Sequence, residues 1–153
     1  ADGDNGTSRR LLGAFLTWLA ERKTRVFVVA TANDISSLPP ELVRKGRMDE
    51  IFFVDLPSAS VREDVLRIHA RKRDLTLADT HVQQLATACE GFSGAEIEQA
   101  VISAVYAAHA SGEPVNARHV LNEIRATRPL SITMAEKILE LRAWAAERTV
   151  PAD

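Results

Sequence analysis

Apolar residues recur at helical spacing over residues 8–22, where Leu11, Leu12, Phe15, Leu16 and Leu19 share one face and Arg9, Arg10, Glu21 and Arg22 fall outside it. The pattern then changes. Val26 to Ala30 is an uninterrupted apolar run with polar flanks, which predicts a strand buried in a parallel sheet. Pro39-Pro40 predicts a short helix through Glu41 to Val43, stopped at Gly46, and Ile51 to Pro57 reads as a second strand. Beyond Pro57 only helical periodicity is left. The spacings Ser60-x-x-Glu63, Thr80-x-x-Gln83, Ser93-x-x-Glu96 and Thr133-x-x-Glu136 predict four helix starts by capping box. The predicted buried faces are Val61, Val65 and Ile68, then Val82, Leu85, Ala86 and Cys89, then Ile97, Val101, Ala104, Val105 and Ala108. A shorter helix carries Val120, Leu121 and Ile124 after a turn at Ser111-Gly112-Glu113-Pro114, and a last amphipathic helix presents Ile138, Leu141, Trp144 and Ala145. The Gly-, Asp- and Asn-rich opening from Ala1 to Ser8 has the composition of a flexible surface segment. The shift from mixed α/β to all-α near Pro57 predicts a boundary there.

Composition narrows the class without selecting a chemistry. The 153 residues are 46% hydrophobic, enough for a sizeable core in one domain or two small ones. With 19 Lys and Arg against 21 Asp and Glu, the chain has no basic excess to favour nucleic acid or an anionic membrane. Arg67, Arg71, Lys72 and Arg73 cluster, but Ile68 is interleaved and no aromatic residue offers a stacking platform, so the cluster reads as a solvated helix face. No apolar run is long enough to span a bilayer, and the acidic, polar opening is unlike a secretory signal. The single cysteine, Cys89, sits on an apolar stripe and reads as a buried reduced thiol, fitting cytosol or plastid stroma. His81, His109 and His119 lack metal-ligand spacing, so no protein-bound metal is assigned.

Candidate chemistry gathers after the first predicted strand. Thr31-Ala32-Asn33 follows its carboxyl end, where open α/β sheets bind ligands. The amide of Asn33 can hold a water or a phosphate oxygen, although asparagine alone is also an ordinary turn residue. Arg44 and Arg47 flank Gly46 and offer planar, permanently charged forks suited to phosphate, although isolated arginines are usually just solvated. His69 alone reads as a structural histidine. Gly94 and Ala95 begin a helix, where unpaired N–H groups and the dipole favour anions or polar ligands.

Asn33 after its strand, Arg44-Lys45-Gly46-Arg47-Met48-Asp49, Ile68-His69 and Gly91-Phe92-Ser93-Gly94-Ala95-Glu96 occur in one order and at one set of spacings. Together they resemble the AAA ATPases, over roughly residues 7–110. With Trp18 and the tail Pro129 to Glu136, the chain is most similar to a cyanobacterial and plastid-type AAA group of poorly assigned role. The implied fold is α/β, the carboxyl-terminal part of a P-loop AAA core with parallel strands and helices, followed by an all-α helical lid. The implied domains are a core portion over 1–57, a lid over 58–128 and a carboxyl-terminal helix and tail over 129–153.

The resemblance implies ATP binding and hydrolysis in a ring, a hexamer in this family, coupled to remodelling of a macromolecule such as a protein substrate. Asn33 takes the place of the sensor, and Arg44 and Arg47 that of arginine fingers serving the adjacent protomer's nucleotide. His69, Gly94 and Ala95 take the place of the lid's adenosine contacts. No arginine opens the Gly94 helix, so the second sensor of other branches is missing. No Gly-x-x-x-x-Gly-Lys-[Ser/Thr] and no strand ending in Asp-Glu occurs, so the elements that bind most of ATP and Mg2+ would precede Ala1, and this chain alone is expected to be inactive. Ala1 to Ser8 would belong to a loop facing the pore. The competing reading is a non-hydrolysing AAA module for assembly or regulation; a helical nucleic-acid-binding domain is disfavoured by the near-neutral charge.

Overall fold

The computed structural model describes residues 3–21, 23–32, 35, 38–42 and 48–152. The chain forms two compact units, Ala1–Phe53 with Ala145–Ala152, and Val54–Trp144.

In the first unit, helix α1 runs Gly3–Glu21 and buries Leu19, with Leu12, Phe15 and Leu16 half-buried and Leu11 exposed. The opening expected to be flexible is helical from Gly3 onward. Once the apolar stretch has nucleated the helix, each further residue adds a backbone hydrogen bond at little extra cost. The buried strand expected at Val26–Ala30 is not formed: these residues are in no ladder, and Phe27 is 92% exposed. A parallel strand is stable only with neighbours on its edges and layers on its faces, and this run joins no sheet among the described residues. Pro40 to Leu42 form a turn closed by the Leu42 N–H on the Pro39 carbonyl (3.0 Å), with Leu42 buried; the continuation to Gly46 lies outside the described residues.

The observed ladder is short and parallel. Strand β1 (Phe52–Phe53) aligns with β2 (Val150–Pro151), Phe52 opposite Val150 and Phe53 opposite Pro151. The Val150 N–H donates to the Ile51 carbonyl (2.9 Å) and the Ala152 N–H to the Phe53 carbonyl (3.1 Å). Pro151 falls between these donors, the one register in which its missing N–H costs no hydrogen bond.

The second unit is a helical bundle of α2 (Ala59–Arg71), α3 (Asp79–Ala88), α4 (Gly94–Ala110) and α5 (Ala117–Ala126), followed by a short α6 (Leu130–Thr133) and α7 (Ala135–Ala146), whose last turn runs beyond this unit. Its core is apolar and continuous: Leu66, Val82, Leu85, Cys89, Ile97, Val101 and Val120 are fully buried. The faces expected on α3 and α4 are the buried ones, with Val105 half-buried. On α2 the face is rotated by one residue. Arg62, Leu66 and Ala70 point inward while Val61 and Ile68 are exposed. Arg62 explains the shift, because its Nε donates to the Ala86 carbonyl and its Nη1 to the Pro57 carbonyl, both at 2.9 Å, so a charge occupies a core position with two of its donors on carbonyls.

Of the four expected caps, the one at Ser93 is present: its Oγ accepts from the Glu96 N–H (3.3 Å) and its own N–H donates to Glu96 Oε2 (2.8 Å). The others shift. Ser58, not Ser60, caps α2, directly after Pro57. Helix α3 starts after Ala78 without a side-chain cap, and Thr80 is its second residue. Thr133 ends α6, because Pro129 has already opened that turn. Asn116 caps α5, its Oδ1 accepting from the Arg118 N–H (3.0 Å) and its N–H donating to His119 Nδ1 (3.3 Å); the histidine stands where a capping box carries Glu or Gln. After α4, Gly112 at φ +67° lets the Glu113 N–H reach the Ala108 carbonyl (3.0 Å), a left-handed stop suited to glycine.

Candidate nucleotide-contact site of the helical lid

The sequence places His69 in the last turn of α2 and Gly94-Ala95 at the start of α4. Burial of Leu66 and Ala70 fixes the roll of α2, and burial of Ile97 and Val101 fixes that of α4. His69 then meets α4 through Glu98: its Nδ1 lies 3.2 Å from Glu98 Oε1. Arg73, one turn after His69, completes the cluster. Its Nη2 donates to the same Glu98 oxygen at 3.2 Å and its Nη1 to the His69 carbonyl at 3.3 Å. The His69 side chain is only 14% exposed.

Glu98 lies four residues after Gly94, so Gly94 is its neighbour along one face of α4. The helix cannot satisfy the N–H groups of Gly94 and Ala95 by itself, and Ser93 spends its hydroxyl on Glu96. A methyl group at Gly94 would meet nothing within 4 Å, and Ala95 is exposed. The helix start is therefore open to a ligand, with a histidine held one turn further along.

Asn33, Arg44 and Arg47 lie outside the described residues. Glu98 and Arg73 were missed by sequence reasoning. Arg73 follows His69 by four residues, just past the end of α2, and Glu98 follows Gly94 by four on α4, but these spacings do not say that the two segments meet. The basic cluster is divided by the fold. Arg67 pairs with Glu63 (3.3 Å) and Asp79 (2.9 Å), Arg73 turns to the histidine, and Arg71 and Lys72 are exposed. Cys89 is free and fully buried, and burial pushes its thiol above the ordinary range against the opposing pull of Arg62, which disfavours the thiolate. Elsewhere in the bundle unit, Arg142 grips Asp55 in a fork, with Nε and Nη2 each 2.9 Å from a carboxylate oxygen. No helix among the described residues is long and apolar enough to cross a membrane.

Comparison with known proteins gives a consistent family. Residues 1–56 match the model of the ATPase family associated with various cellular activities (AAA), and residues 79–121 match that of the AAA+ lid domain. The chain is 45% identical over 148 residues to the uncharacterized AAA domain-containing protein ycf46 of Pyropia yezoensis, covering 96% of this chain and 30% of that protein. It is 42% identical over 147 residues to the protein of the same name from Guillardia theta, covering 94% of this chain and 29% of the relative. A proteasome-activating nucleotidase of Aeropyrum pernix is 36% identical over 119 residues, covering 73% of this chain and 29% of that protein. The chain thus spans about 30% of the length of each of these three relatives. With both family models matched in order along one chain, the protein belongs to the AAA ATPase family, and its fold is the carboxyl-terminal part of the α/β core followed by the helical lid.

Proposed function

We propose that this chain is the sensor, finger and lid portion of an AAA ATPase that hydrolyses ATP in a ring, a hexamer, and uses the energy to remodel a macromolecule, in the cytosol or plastid stroma. The division of labour is a core portion over 1–57, a lid over 58–128 and a closing helix and tail over 129–153. The observation that carries the reading is the pairing of His69 with Glu98, one turn inside a helix whose opening residues Gly94 and Ala95 face open space. In this reading His69, Gly94 and Ala95 contact the adenosine, while most of the affinity for ATP and Mg2+ comes from a phosphate loop and an acidic strand elsewhere in the whole protein.

Asn33 acts on the attacking water and the γ-phosphate. Arg44 and Arg47 act on the nucleotide of the adjacent subunit, where an arginine supplied in trans is worth roughly 10³ to 10⁵ in rate. In the whole protein, Asn33→Ala, Arg44→Ala and Arg47→Ala each depress turnover while leaving ATP affinity within a few-fold, since the groups act on the transition state more than on the bound ground state. Mixing Arg47→Ala subunits with subunits whose phosphate loop is inactive restores partial activity, because some interfaces then join an intact finger to an intact pocket. Unchanged turnover in the folded variants would leave an AAA module that serves assembly alone.

A further inference from the structure

The cluster around His69 specifies more than proximity to a ligand. The ring nitrogen Nδ1 has two polar neighbours, Glu98 Oε1 at 3.2 Å and Arg73 Nη1 at 3.4 Å. These demand opposite states. With a proton on Nδ1 the ring donates to Glu98; without one it presents a lone pair to Arg73 and, at shorter range, to a carboxylate oxygen that has no proton to share. Arg73 Nη1 already has an acceptor in the His69 carbonyl at 3.3 Å, and Nη2 has one in Glu98. The arginine therefore loses little when Nδ1 is protonated, whereas the carboxylate would face a lone pair if it were not. Glu98 Oε1 lies within ion-pair distance of Nδ1, and a carboxylate at that range favours the tautomer that carries the proton there. The other ring nitrogen has no hydrogen-bond partner among the described residues, and no buried side-chain nitrogen or oxygen is left unsatisfied, so Nε2 reaches solvent.

We infer that Glu98 is a positioning residue of the nucleotide site: it holds His69 as the Nδ1–H tautomer, so that Nε2 offers a lone pair to a hydrogen-bond donor on the nucleoside. Arg73 holds Glu98 in turn, tying the carboxylate to the carboxyl end of α2. The inference rests on the reading that His69 meets the nucleoside, and it adds the direction of that hydrogen bond. The donors available on adenosine are the ribose hydroxyls and the exocyclic amine.

Two measurements test it separately. In the ¹⁵N-labelled 153-residue chain, long-range ¹H–¹⁵N correlation spectra of the neutral His69 ring show Nδ1 carrying the proton. Glu98→Ala moves the proton to Nε2, the tautomer imidazole prefers in water, while Arg73→Ala leaves it on Nδ1. Glu98 is partly exposed, and an otherwise unchanged amide spectrum confirms that the Glu98→Ala variant is folded. Wild-type protein with the proton on Nε2, or a Glu98→Ala variant that keeps it on Nδ1, overturns the assignment. In the whole protein, Glu98→Ala weakens ATP binding, and adding it to His69→Ala weakens binding no further, as expected of a residue acting through another. Either 2′,3′-dideoxy-ATP or purine riboside triphosphate, whichever lacks the donor in use, loses affinity for wild type but not for His69→Ala. Equal affinity of both analogues and ATP for wild type overturns the acceptor role. If the tautomer result holds but His69→Ala leaves ATP affinity unchanged, the nucleoside reading fails and the Glu98 assignment to the ring stands.

Discussion

The two units treat their apolar residues in opposite ways. In the Val54–Trp144 unit the large aliphatic side chains of α3, α4 and α5 interlock, with Leu85, Ile97, Val101 and Val120 fully buried. In the Ala1–Phe53 unit the most apolar run of the chain is exposed at Phe27 and Val29, and the aromatic Phe52 of β1 is 61% exposed. Both segments are rich in hydrophobic residues, so composition is not the difference. A helix satisfies its own backbone and needs a partner for one face, whereas a parallel strand needs neighbours on both edges as well as cover on its faces. Adjacent helices of the lid supply what each of them lacks, while Val26–Ala30 joins no sheet among the described residues.

The comparison breaks if both regions respond alike to truncation. Ile97→Ala costs about 2–5 kcal/mol, as expected for a cavity in an apolar core, whereas Phe27→Ala stays within about 0.5 kcal/mol in the same chain. Urea denaturation followed by circular dichroism measures both, and equal losses would show that residues 26–30 contribute a core after all. Next in size is Gly91→Ala. Gly91 sits at φ +79°, and a Cβ there would overlap the Ser131 side chain, so the cost is about 2 kcal/mol. Gly112→Ala meets open space and loses only the left-handed preference, about 1 kcal/mol; thermal melts that rank the pair in reverse would refute the close approach. Ser93→Ala removes a formed cap for about 1 kcal/mol, while Thr80→Ala, inside α3, stays within about 0.5 kcal/mol by the same melts.

The smallest effect is electrostatic. Burial acts to raise the Asp55 pKa, but the Arg142 hydrogen bonds, the Leu56 N–H at 2.7 Å and the Arg142 charge together bring it below its ordinary value of 3.8. A depressed carboxylate stabilises the fold above the unfolded value, and that contribution is lost as pH falls from about 3.8 through the folded value. Asp55→Asn flattens this acid limb, so its stability falls less steeply than wild type in acid titrations. Because the pair is substantially exposed, the difference is modest and shrinks in salt.

The lid was legible because its signals are local. Ile97, Val101, Ala104 and Ala108 repeat with one period, Ser93 and Glu96 announce a start, and Gly112 announces a stop. What misled on α2 was Arg62, a residue that pattern reading assigns to solvent but whose guanidinium reaches two carbonyls through the core. His119 was hidden for a similar reason: histidine in the capping-box position is chemically adequate but outside the usual Glu or Gln vocabulary. The apolar run at Val26–Ala30 shows the limit from the other side, since its pattern specifies a strand yet carries no information about which edges will flank it. At the candidate site, motifs single out Gly94, Ala95 and His69 in the sequence, whereas the approach of Glu98 to His69 needed the relative placement of two helices, which fourfold spacing within each segment does not supply.

Glu96 carries a consequence for how fluctuations spread. One oxygen of its carboxylate, Oε2, receives the Ser93 N–H at the start of α4, and the other, Oε1, accepts the Leu130 N–H at 2.8 Å, 34 residues along the chain. A single rotamer thus serves two helix openings, and a side chain that swings away releases both at once. The amide of Leu130 should therefore exchange with deuterium in step with that of Ser93, and Glu96→Ala should unprotect the pair together. Exchange of the two amides in step would make the beginning of α4 and the beginning of α6 one opening event, joined by a single carboxylate.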